Sequence, residues 1–477
     1  GLNRTFVAKI FPIKHRQDIQ TAIKKAQKAN KAICITGGRH AMGGQQFATQ
    51  CYLLDMNNFN KVLDFDYSTG QITVESGIQW PELIRSYHII QKEKGDIVWG
   101  ISQKQTGADR LSIGGAIAAN IHGRGLNMQP FVQDVIRFTL VDANGDLKEC
   151  SRTHNSDLFS RVIGGYGLFG VVASVTIQLV KRVKVERIVR TLELHELLSQ
   201  FKQCQREGYL YGDFQFAIDA NSDAFLQQGI FSCYKPIAEN EPIPKGQHRL
   251  SKKNWQDLLL LAHTKKTEAF ERFKSFYLQS SGQRYWSDTH QLTIYLDDYH
   301  QQLDKAMGCT CRGSEIITEL YVPKKNLISF MDQAKSVLRR LDANIIYGTV
   351  RIIRKDEVSA MPWAKEDFVC IIFNVHTDHN DAGLAKSKHI LTALIDVAIT
   401  QKGSYFPTYH RYASKEQVLA CYPDFVEFLQ SKWRYDGQEL FQSDWYRHYR
   451  NLFANELLQL KKGNDVLFLN KLAQCGG

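Results

Sequence analysis

The stretch Ile35–Phe47 reads ITGGRHAMGGQQF, and in it two glycine pairs flank an arginine and a histidine. It begins inside the apolar run KAICITGG, which predicts a short buried strand that ends at the first glycine pair. Glycine adds no side chain to a core and loses much backbone entropy on folding, so packing does not explain this composition. A glycine-dense loop after a strand presents several backbone N–H groups to one concavity, which favours an anion. We therefore interpret the stretch as an anion-binding loop.

Two further glycine-rich segments follow, TGADRLSIGGAIAANIHGRG at Thr106–Gly125 and GGYGLFG at Gly164–Gly170. The small residues of the first would let a large flat ligand lie on the backbone. The second contains G-x-G-x-x-G, but a helical pattern precedes it and a strand-like pattern follows, which reverses the order of a dinucleotide fingerprint. The three loops together predict a site for a long, anionic, partly aromatic molecule. A flavin dinucleotide fits that description, and three unrelated turns are the alternative.

The bulk composition predicts a globular protein of two or three domains, with 477 residues of which 43% are hydrophobic. A net charge of +11 favours an anionic ligand or an acidic surface. The basic residues are scattered and no zinc-finger or RNA-binding signature occurs, so we expect no nucleic-acid partner. Most of the ten cysteines lie in apolar runs without any CxxC, which suits a reducing compartment and predicts no metal site. No apolar run is long enough to span a bilayer. These features predict a cytoplasmic protein.

The order of predicted elements indicates an α+β fold. Helical spacing of apolar residues over DIQTAIKKAQKA is followed by short strands, a turn at Ser68–Gly70 and a helix that begins near Pro81. This order lacks the regular alternation of a doubly wound sheet. After Lys181 the pattern changes to long alternating strands mixed with helices, and residues 236–254 read as a mobile polar loop. No Walker loop, HExxH or GxSxG occurs, which removes the usual support for phosphate transfer, zinc hydrolysis and serine hydrolysis.

These motifs resemble those of the vanillyl-alcohol-oxidase-like flavoproteins, which have a PCMH-type FAD-binding domain. The resemblance covers nearly the full length and rests on GGRHAMGG, SIGGAIAANIHG, HNSDLFSRVIGGYGLFGVVASVTIQL and YPDFVEFLQSKWRYDGQELFQSDWYRHY. It implies a two-lobed FAD-binding domain at residues 1–182, completed by about 404–450. An α+β substrate (cap) domain with an antiparallel sheet is expected at 183–403, and a C-terminal helix and tail at 451–477. Within the family, Thr106–His122 is most similar to the decaprenylphosphoryl-ribose oxidases, and next to the sugar-lactone oxidases, such as D-arabinono-lactone oxidase, and the alditol oxidases.

The same resemblance implies which residues contact FAD. The expected contacts are Gly37, Gly38, Arg39, His40, Ala41, Gly107, Ser112, Ile113, Gly114, Gly115, His122, Gly123 and Val172. His40 occupies the position at which several alditol, lactone and cytokinin oxidases bond covalently to the flavin 8α-methyl group. The ribose oxidases lack that histidine and hold FAD noncovalently. Covalent attachment through His40 is therefore a hypothesis, and a plain loop histidine is the alternative.

Oxidation of a C–H group beside an oxygen requires a hydride acceptor, an acceptor for the hydroxyl proton and a positive group near the flavin N1–C2=O. The resemblance places Glu319 of TELYVP at a polar, substrate-facing position and Arg351 of TVRII at a cationic position. Asn374 and His376 alternate with apolar residues in IIFNVHTDH, so they point to one side of a strand. We predict that this pair lines the substrate pocket, and a structural polar network is the alternative.

One segment departs from the ribose oxidases, which place a lysine before the C-terminal YP. The chain has FPTYHRYAS there, and counting back without a gap from Tyr422 places Tyr409 at the lysine position. Tyr409 or His410 is predicted to act as acid or base, with Arg411 as a source of positive charge. The missing lysine argues against a polyprenyl-sugar substrate more than against the flavin.

The sequence thus predicts an FAD-dependent oxidoreductase that oxidises a hydroxyl carbon of a polyol, sugar, aldonolactone or sugar-phosphate-type substrate by hydride transfer to flavin N5. Oxygen, a quinone or a redox protein would accept the electrons, and membrane association would be at most peripheral, at the inner membrane face. One alternative is a C=C reductase of the sterol Δ24 reductase type, and another is a flavin-binding interaction protein without turnover. The polar pocket candidates argue against the reductase.

Overall fold

The computed structural model describes residues 2–293, 296 and 299–459 of the chain. Helices and strands are mixed throughout, which confirms the predicted α+β class. The prediction of a C-terminal helix and tail falls largely on residues 460–477, which lie outside the described residues.

The N-terminal part of the chain contains three small sheets. The first is parallel, with the order β1-β3-β2, and the second is antiparallel, with the order β4-β5-β9-β7-β8. The third is an antiparallel pair of two short strands, β6 and β10. The elements are β1 Lys9–Pro12, α1 Arg16–Lys28, β2 Ile33–Thr36, β3 Tyr52–Asp55, β4 Val62–Asp66, β5 Gln71–Glu75, α2 Trp80–Lys94, β6 Trp99–Gly100, α3 Ile113–Ala119, β7 Val135–Val141, β8 Leu147–Ser151, α4 Ser156–Val162, β9 Val171–Gln178 and β10 Val180–Lys181.

The second part of the chain forms one eight-stranded antiparallel sheet, and an antiparallel sheet is what the sequence predicts there. Its strand order is β14-β11-β13-β12-β16-β17-β15-β18. The elements are β11 Lys184–Glu193, α5 Leu197–Arg206, β12 Tyr211–Phe216, β13 Gln228–Pro236, α6 Lys252–Thr264, α7 Lys266–Gln279, β14 Arg284–Trp286, α8 Tyr299–Met307, β15 Gly313–Pro323, α9 Leu327–Arg340, β16 Ile345–Ile353, β17 Phe368–Asp378, α10 Asp381–Thr400, β18 Ser404–Tyr405, α11 Lys415–Cys421, α12 Phe425–Tyr435 and α13 Asp444–Leu452.

Several local predictions hold. The apolar face of α1 is buried through Ile19, Ala22, Ile23 and Ala26, and Pro81 lies in the first turn of α2. The predicted loop at 236–254 ends earlier than expected, because Ser251 begins α6 in a capping box with Asn254. The S-x-x-N spacing at residues 251–254 is the local sequence signal for this helix start.

After β18 the chain returns to the N-terminal part. The backbone N–H of Ile33 donates to the Leu440 carbonyl oxygen at 2.7 Å, and the N–H of Gln442 donates to the Ile33 carbonyl oxygen at 2.8 Å. The C-terminal segment thus extends the edge of β2, immediately before the first glycine loop. The sequence predicts that residues 404–450 complete the domain formed by residues 1–182, and such a domain requires a contact of this kind. The domain boundaries stay predictions.

A buried ion pair fastens the same segment. Lys432 Nζ lies 2.5 Å from Asp436 Oδ2, and both side chains are 0% exposed. Asp436 also accepts the backbone N–H groups of Leu440 and Phe441, each at 2.8 Å, while Lys432 donates to the Leu168 carbonyl oxygen in the third glycine loop. Because every group in this network has a partner, the segment is held at one position against that loop.

Asp436→Ala is expected to lower the free energy of unfolding by about 3–5 kcal/mol, because it leaves the Lys432 ammonium buried without its counter-ion. Chemical denaturation measures the change. Glu271→Ala is the control, since it breaks the exposed Lys274–Glu271 pair and should cost less than about 1 kcal/mol. Equal, small losses for both variants would show that the buried pair does not hold the C-terminal segment.

Candidate functional site

The first two glycine loops touch each other through their backbones. A Cβ atom at Gly38 would lie 1.9 Å from the Arg110 carbonyl oxygen, and one at Gly37 would lie 2.1 Å from Ser112 Oγ. Such distances exclude any side chain, so the glycines are required for the approach of the loop after β2 to the start of α3. A Cβ atom at Gly114 of α3 would lie 3.0 Å from the Ser76 Cβ atom.

These loops and the third one line a single cleft, which encloses about 1130 Å³ when its open mouth is included. From the third loop come Tyr166 and Gly167, both with positive φ, together with Gly170. The predicted helix-to-strand turn is therefore present between α4 and β9, and it faces the cleft.

Most of the predicted FAD contacts line this cleft. They are Gly37, Gly38, Arg39, His40, Ala41, Ser112, Gly114, Gly115 and Val172. Gly107 and His122 instead line a second cavity, described below. Ile113 is fully buried in the core, and a Cβ at Gly123 would lie 2.7 Å from the Lys104 carbonyl oxygen, so neither residue lines the cleft.

Arg39 lines the cleft as expected, but its side chain also forms an ion pair within the protein. Its Nη2 lies 3.2 Å from Asp55 Oδ2 at the end of β3, so part of its positive charge is compensated within the protein. The residue also has a positive φ of 61°, which directs its backbone around the cleft.

The second cavity, of about 3870 Å³ including its open mouth, lies against one face of the eight-stranded sheet. Side chains of alternate residues on six neighbouring strands point into it, as the two-residue period of a strand dictates. These side chains are Arg187 of β11, Ile230, Ser232 and Tyr234 of β13, Asp213 and Gln215 of β12, Tyr347 and Arg351 of β16, Ile372 and Asn374 of β17, and Glu315, Ile317 and Glu319 of β15. Apolar residues of α6 and α7 form the facing wall, among them Leu258 and Phe273.

The cleft and the cavity meet. Residues that line both are Arg39, His40, Ala41, Gln105, Ile121, Phe406 and Tyr409. A ligand that fills the cleft would therefore present one end to the cavity at this junction.

A buried histidine–carboxylate pair lies at the cavity wall. His122 Nε2 is 2.5 Å from Glu319 Oε1, and His122 Nδ1 is 3.0 Å from the Gly123 carbonyl oxygen. Because a carbonyl oxygen only accepts, Nδ1 carries a proton and donates it there. A contact of Nε2 with the carboxylate then requires a second proton between these two atoms. The pair is thus built to hold, and to exchange, one proton.

Two neighbours of Glu319 stay protonated. Burial, and then the negative charge of Glu319, raise the pKa of Tyr409 well above its ordinary value, and the same two causes raise the pKa of the Cys370 thiol. The Tyr409 hydroxyl contacts Glu319 and Gln105. It is therefore a hydrogen-bond donor at neutral pH and not a base.

Arg351 supplies the positive charge beside this group. It is buried, and its Nε makes no hydrogen bond to any residue in the described part of the chain. A buried donor without a partner is uncommon and indicates a place for a ligand acceptor. Asn374 lines the same wall two strands from the edge.

Three predicted residues do not line the cavity. His376 lies beside Glu315 and Asp378, not on the cavity wall, so the proposed Asn374–His376 pair is divided. His410 packs away from the junction, with Nε2 3.2 Å from Thr318 Oγ1, and burial lowers its pKa to about 4. Arg411 Nη1 donates to the Asp444 carbonyl oxygen at 2.9 Å. Of the three residues 409–411, Tyr409 alone reaches the junction.

Some lining residues were missed from the sequence. Gln105, Ile121, Tyr166, Phe406 and Thr408 border the cleft, and they come from four different segments. Gln105 directly precedes the predicted glycine-rich segment that begins at Thr106, so its position next to that segment could have identified it. Nothing in the local sequence of Phe406 or Thr408 marks them, because their position depends on the return of the chain after β18.

Farther along the sheet the cavity carries two more arginines. Arg124 Nη1 lies 3.7 Å from Asp213 Oδ2. Arg187 donates to Tyr234 Oη at 3.1 Å and to Ser280 Oγ at 3.0 Å. No carboxylate of the described residues lies within 4.0 Å of the Arg187 guanidinium. By the strand spacing, β11 lies about 14 Å from β16, so this cation is well separated from Arg351.

Over the described residues, no helix combines the length and the apolar character that a membrane span needs. The nine cysteines among the described residues are all free, and seven of them are buried, in keeping with their predicted use as core residues.

Comparison with known proteins agrees with this geometry. Residues 8–151 match the model of the FAD binding domain. The chain is 30% identical over 197 residues to an uncharacterized oxidoreductase of the fasciation locus of Rhodococcoides fascians, a match that covers 41% of this chain and 40% of that protein. It is 28% identical over 184 residues to the L-gulonolactone oxidase of Bos taurus, covering 38% and 40%. It is 26% identical over 168 residues to cytokinin dehydrogenase 1 of Arabidopsis thaliana, covering 34% and 28%.

The aligned region spans about two fifths of the length of the first two of these relatives. The match to the family model, in turn, includes the first two glycine loops. Residues 8–151 therefore carry an FAD binding domain, as the glycine-rich motifs predict.

Proposed function

We propose that the protein is an FAD-dependent oxidoreductase that oxidises a hydroxyl-bearing carbon of a polyol, sugar, aldonolactone or sugar-phosphate-type substrate. The observation that carries this proposal is the junction, where the cleft of the FAD-binding domain opens beside the buried His122–Glu319 pair. Relatives named L-gulonolactone oxidase and D-arabinono-1,4-lactone oxidase support the same class of substrate. By analogy with these oxidases we propose dioxygen as the electron acceptor.

Bound FAD would supply a two-electron acceptor at flavin N5. The residues of the chain then have the remaining tasks of binding the substrate, moving its hydroxyl proton and balancing charge. Glu319 would accept the hydroxyl proton at its second carboxylate oxygen, because its Oε1 already shares a proton with His122 Nε2. Tyr409 would donate a hydrogen bond to the same oxygen, and Arg351 would compensate the negative charge that develops there.

The cavity wall also indicates the polarity of the substrate. Among its described lining residues, five arginines stand against three carboxylates, namely Arg39, Arg124, Arg187, Arg249 and Arg351 against Asp213, Glu315 and Glu319. The excess of positive charge favours an anionic substrate. We propose that a phosphate or carboxylate group binds near Arg187, while the hydroxyl carbon lies near Glu319. The polar sheet wall argues against the alternative of a C=C reductase with a fully apolar substrate.

Glu319→Gln is expected to slow flavin reduction by about 100-fold to 10,000-fold while FAD stays bound, because the amide cannot accept the hydroxyl proton. The measurement is the loss of flavin absorbance on anaerobic mixing with polyols, aldonolactones and sugar phosphates. The exposed Glu357→Gln is the matched control and should reduce at the native rate. If no compound of these classes reduces the flavin of the wild-type protein, the proposed function is wrong. If the flavin of Glu319→Gln is reduced at the native rate, Glu319 is not the proton acceptor.

Arg187→Ala is expected to raise the KM for a phosphorylated substrate by about tenfold or more, because a charge-assisted hydrogen bond contributes about 1.5–3 kcal/mol. The KM for the unphosphorylated analogue should change little. Arg190→Ala removes an exposed arginine from the opposite side of the same strand and should leave both values unchanged. Equal effects of Arg187→Ala on both substrates would contradict an anion subsite.

We also propose that His40 forms a covalent bond to the flavin. His40 lies at the junction, and burial together with the positive charge of Arg110 lowers its pKa. The imidazole is therefore neutral at neutral pH, and only the neutral form has a lone pair available for bond formation.

Acid-precipitated wild-type protein is accordingly expected to remain yellow, because covalent flavin survives denaturation. His40→Ala should give a colourless pellet and release FAD into the supernatant, whereas the exposed His154→Ala should behave as the wild type. Release of all flavin from the wild-type protein would show that His40 is a loop histidine without a covalent role.

A further inference from the structure

A second group of ionisable side chains lies at the far end of the same sheet face. His263 comes from α6, Glu315 from β15 and His376 from β17, and the last two are paired directly in the strand register. His263 Nε2 lies 3.2 Å from Glu315 Oε1, and His376 Nδ1 lies 3.5 Å from the same oxygen. The two imidazole rings are nearly perpendicular, with centroids 4.9 Å apart. All three donor atoms thus converge on one point.

The spacing of these atoms fits a metal ion better than it fits hydrogen bonds. In a tetrahedral zinc site with bonds of about 2.0–2.1 Å, neighbouring ligand atoms are about 3.3 Å apart. Here the three ligand atoms lie within 4.8 Å of one another, and the two distances to Glu315 Oε1, 3.2 and 3.5 Å, bracket that value. Two imidazoles and one carboxylate are also a ligand set that zinc uses at sites with an open fourth position.

The hydrogen-bond inventory supports the same conclusion. The His263 side chain is 1% exposed, yet neither of its ring nitrogens makes a hydrogen bond of normal geometry to a described residue. His376 Nδ1 and Glu315 Oε1 are likewise buried without such a bond in the described part of the chain. Buried polar atoms rarely remain unsatisfied, and a shared cation would satisfy all of these atoms at once.

Neighbouring groups hold the three side chains in place. Glu315 Oε2, the oxygen that faces away from the two histidines, contacts His300 Nε2 at 2.5 Å and the Tyr299 hydroxyl. His376 Nε2 lies 3.5 Å from Asp378 Oδ1, the position at which a carboxylate commonly orients a metal-bound imidazole. A Cβ at Gly313 would lie 2.5 Å from His376 Cε1, so glycine at that position makes room for the ring.

We propose that His263, Glu315 and His376 bind a divalent transition-metal cation, with Zn²⁺ as the representative ion. Glu315 also lines the substrate cavity, so the site lies beside that cavity. The site is separate from the flavin cleft and from the Glu319–His122 pair. The competing explanation is a metal-free ion pair network in which protonated histidines surround Glu315.

The experiment uses the full chain, treated with a chelator and dialysed, and then titrated with Zn²⁺ by isothermal titration calorimetry. One tightly bound equivalent is expected. His263→Ala removes a ligand and Glu315→Gln replaces a charged ligand by a neutral one of the same size, and each should weaken binding at least about tenfold. His195→Ala removes an exposed histidine and should bind Zn²⁺ as the wild type does. Co²⁺ in place of Zn²⁺ should give a visible d–d spectrum of tetrahedral character.

Absence of saturable binding by the wild-type chain would overturn the proposal, as would native affinity in both variants. Glu315→Gln keeps the test decisive where His263→Ala fails to fold, because it preserves the size and shape of the side chain. Neither the calorimetric nor the spectroscopic measurement needs substrate or turnover. A failure of the metal site is therefore distinguishable from a failure of the proposed oxidation.

Discussion

The contact between the two glycine loops is the constraint on which the rest of the site depends. A Cβ at Gly38 would lie 1.9 Å from the Arg110 carbonyl oxygen, so the loop after β2 can lie against the segment before α3 only while glycine occupies that position. Their approach brings backbone groups from two distant segments to one wall of the cleft. It also fixes His40 and Gln105 at the mouth of the cleft, where the second cavity begins. The chemistry proposed at the junction thus follows from a backbone contact.

The eight-stranded sheet forms the polar wall of the second cavity. Alternate residues of a strand point to one face, so a run of polar residues spaced by two forms a polar wall across the sheet. On β15 this rule places Glu315 and Glu319 on the same face, and antiparallel pairing sets His376 directly beside Glu315. One face of one strand thereby contributes both to the proposed catalytic pair and to the proposed cation site.

The two groups differ in the partners that surround each carboxylate. His122 is fixed by the Gly123 carbonyl oxygen, so a proton between Nε2 and Glu319 is available for exchange. Around Glu315, His263 and His376 face one carboxylate oxygen and His300 contacts the other. This convergence suits Glu315 to a role as a ligand, whereas the Glu319 pair suits proton transfer.

The glycine-rich loops and the α+β class follow from local sequence, because glycine spacing and periodicity are properties of neighbouring residues. The family resemblance pointed to Glu319 and Arg351, and strand alternation pointed to Asn374. All three line the cavity, and their roles stay predictions. The tertiary structure alone decided that Tyr409 reaches the junction while His410 and Arg411 turn away, because that choice depends on how the chain returns after β18. It also alone brought His263 to Glu315 and His376. These residues are widely separated along the chain, and no local pattern records a contact made by packing a helix against a sheet.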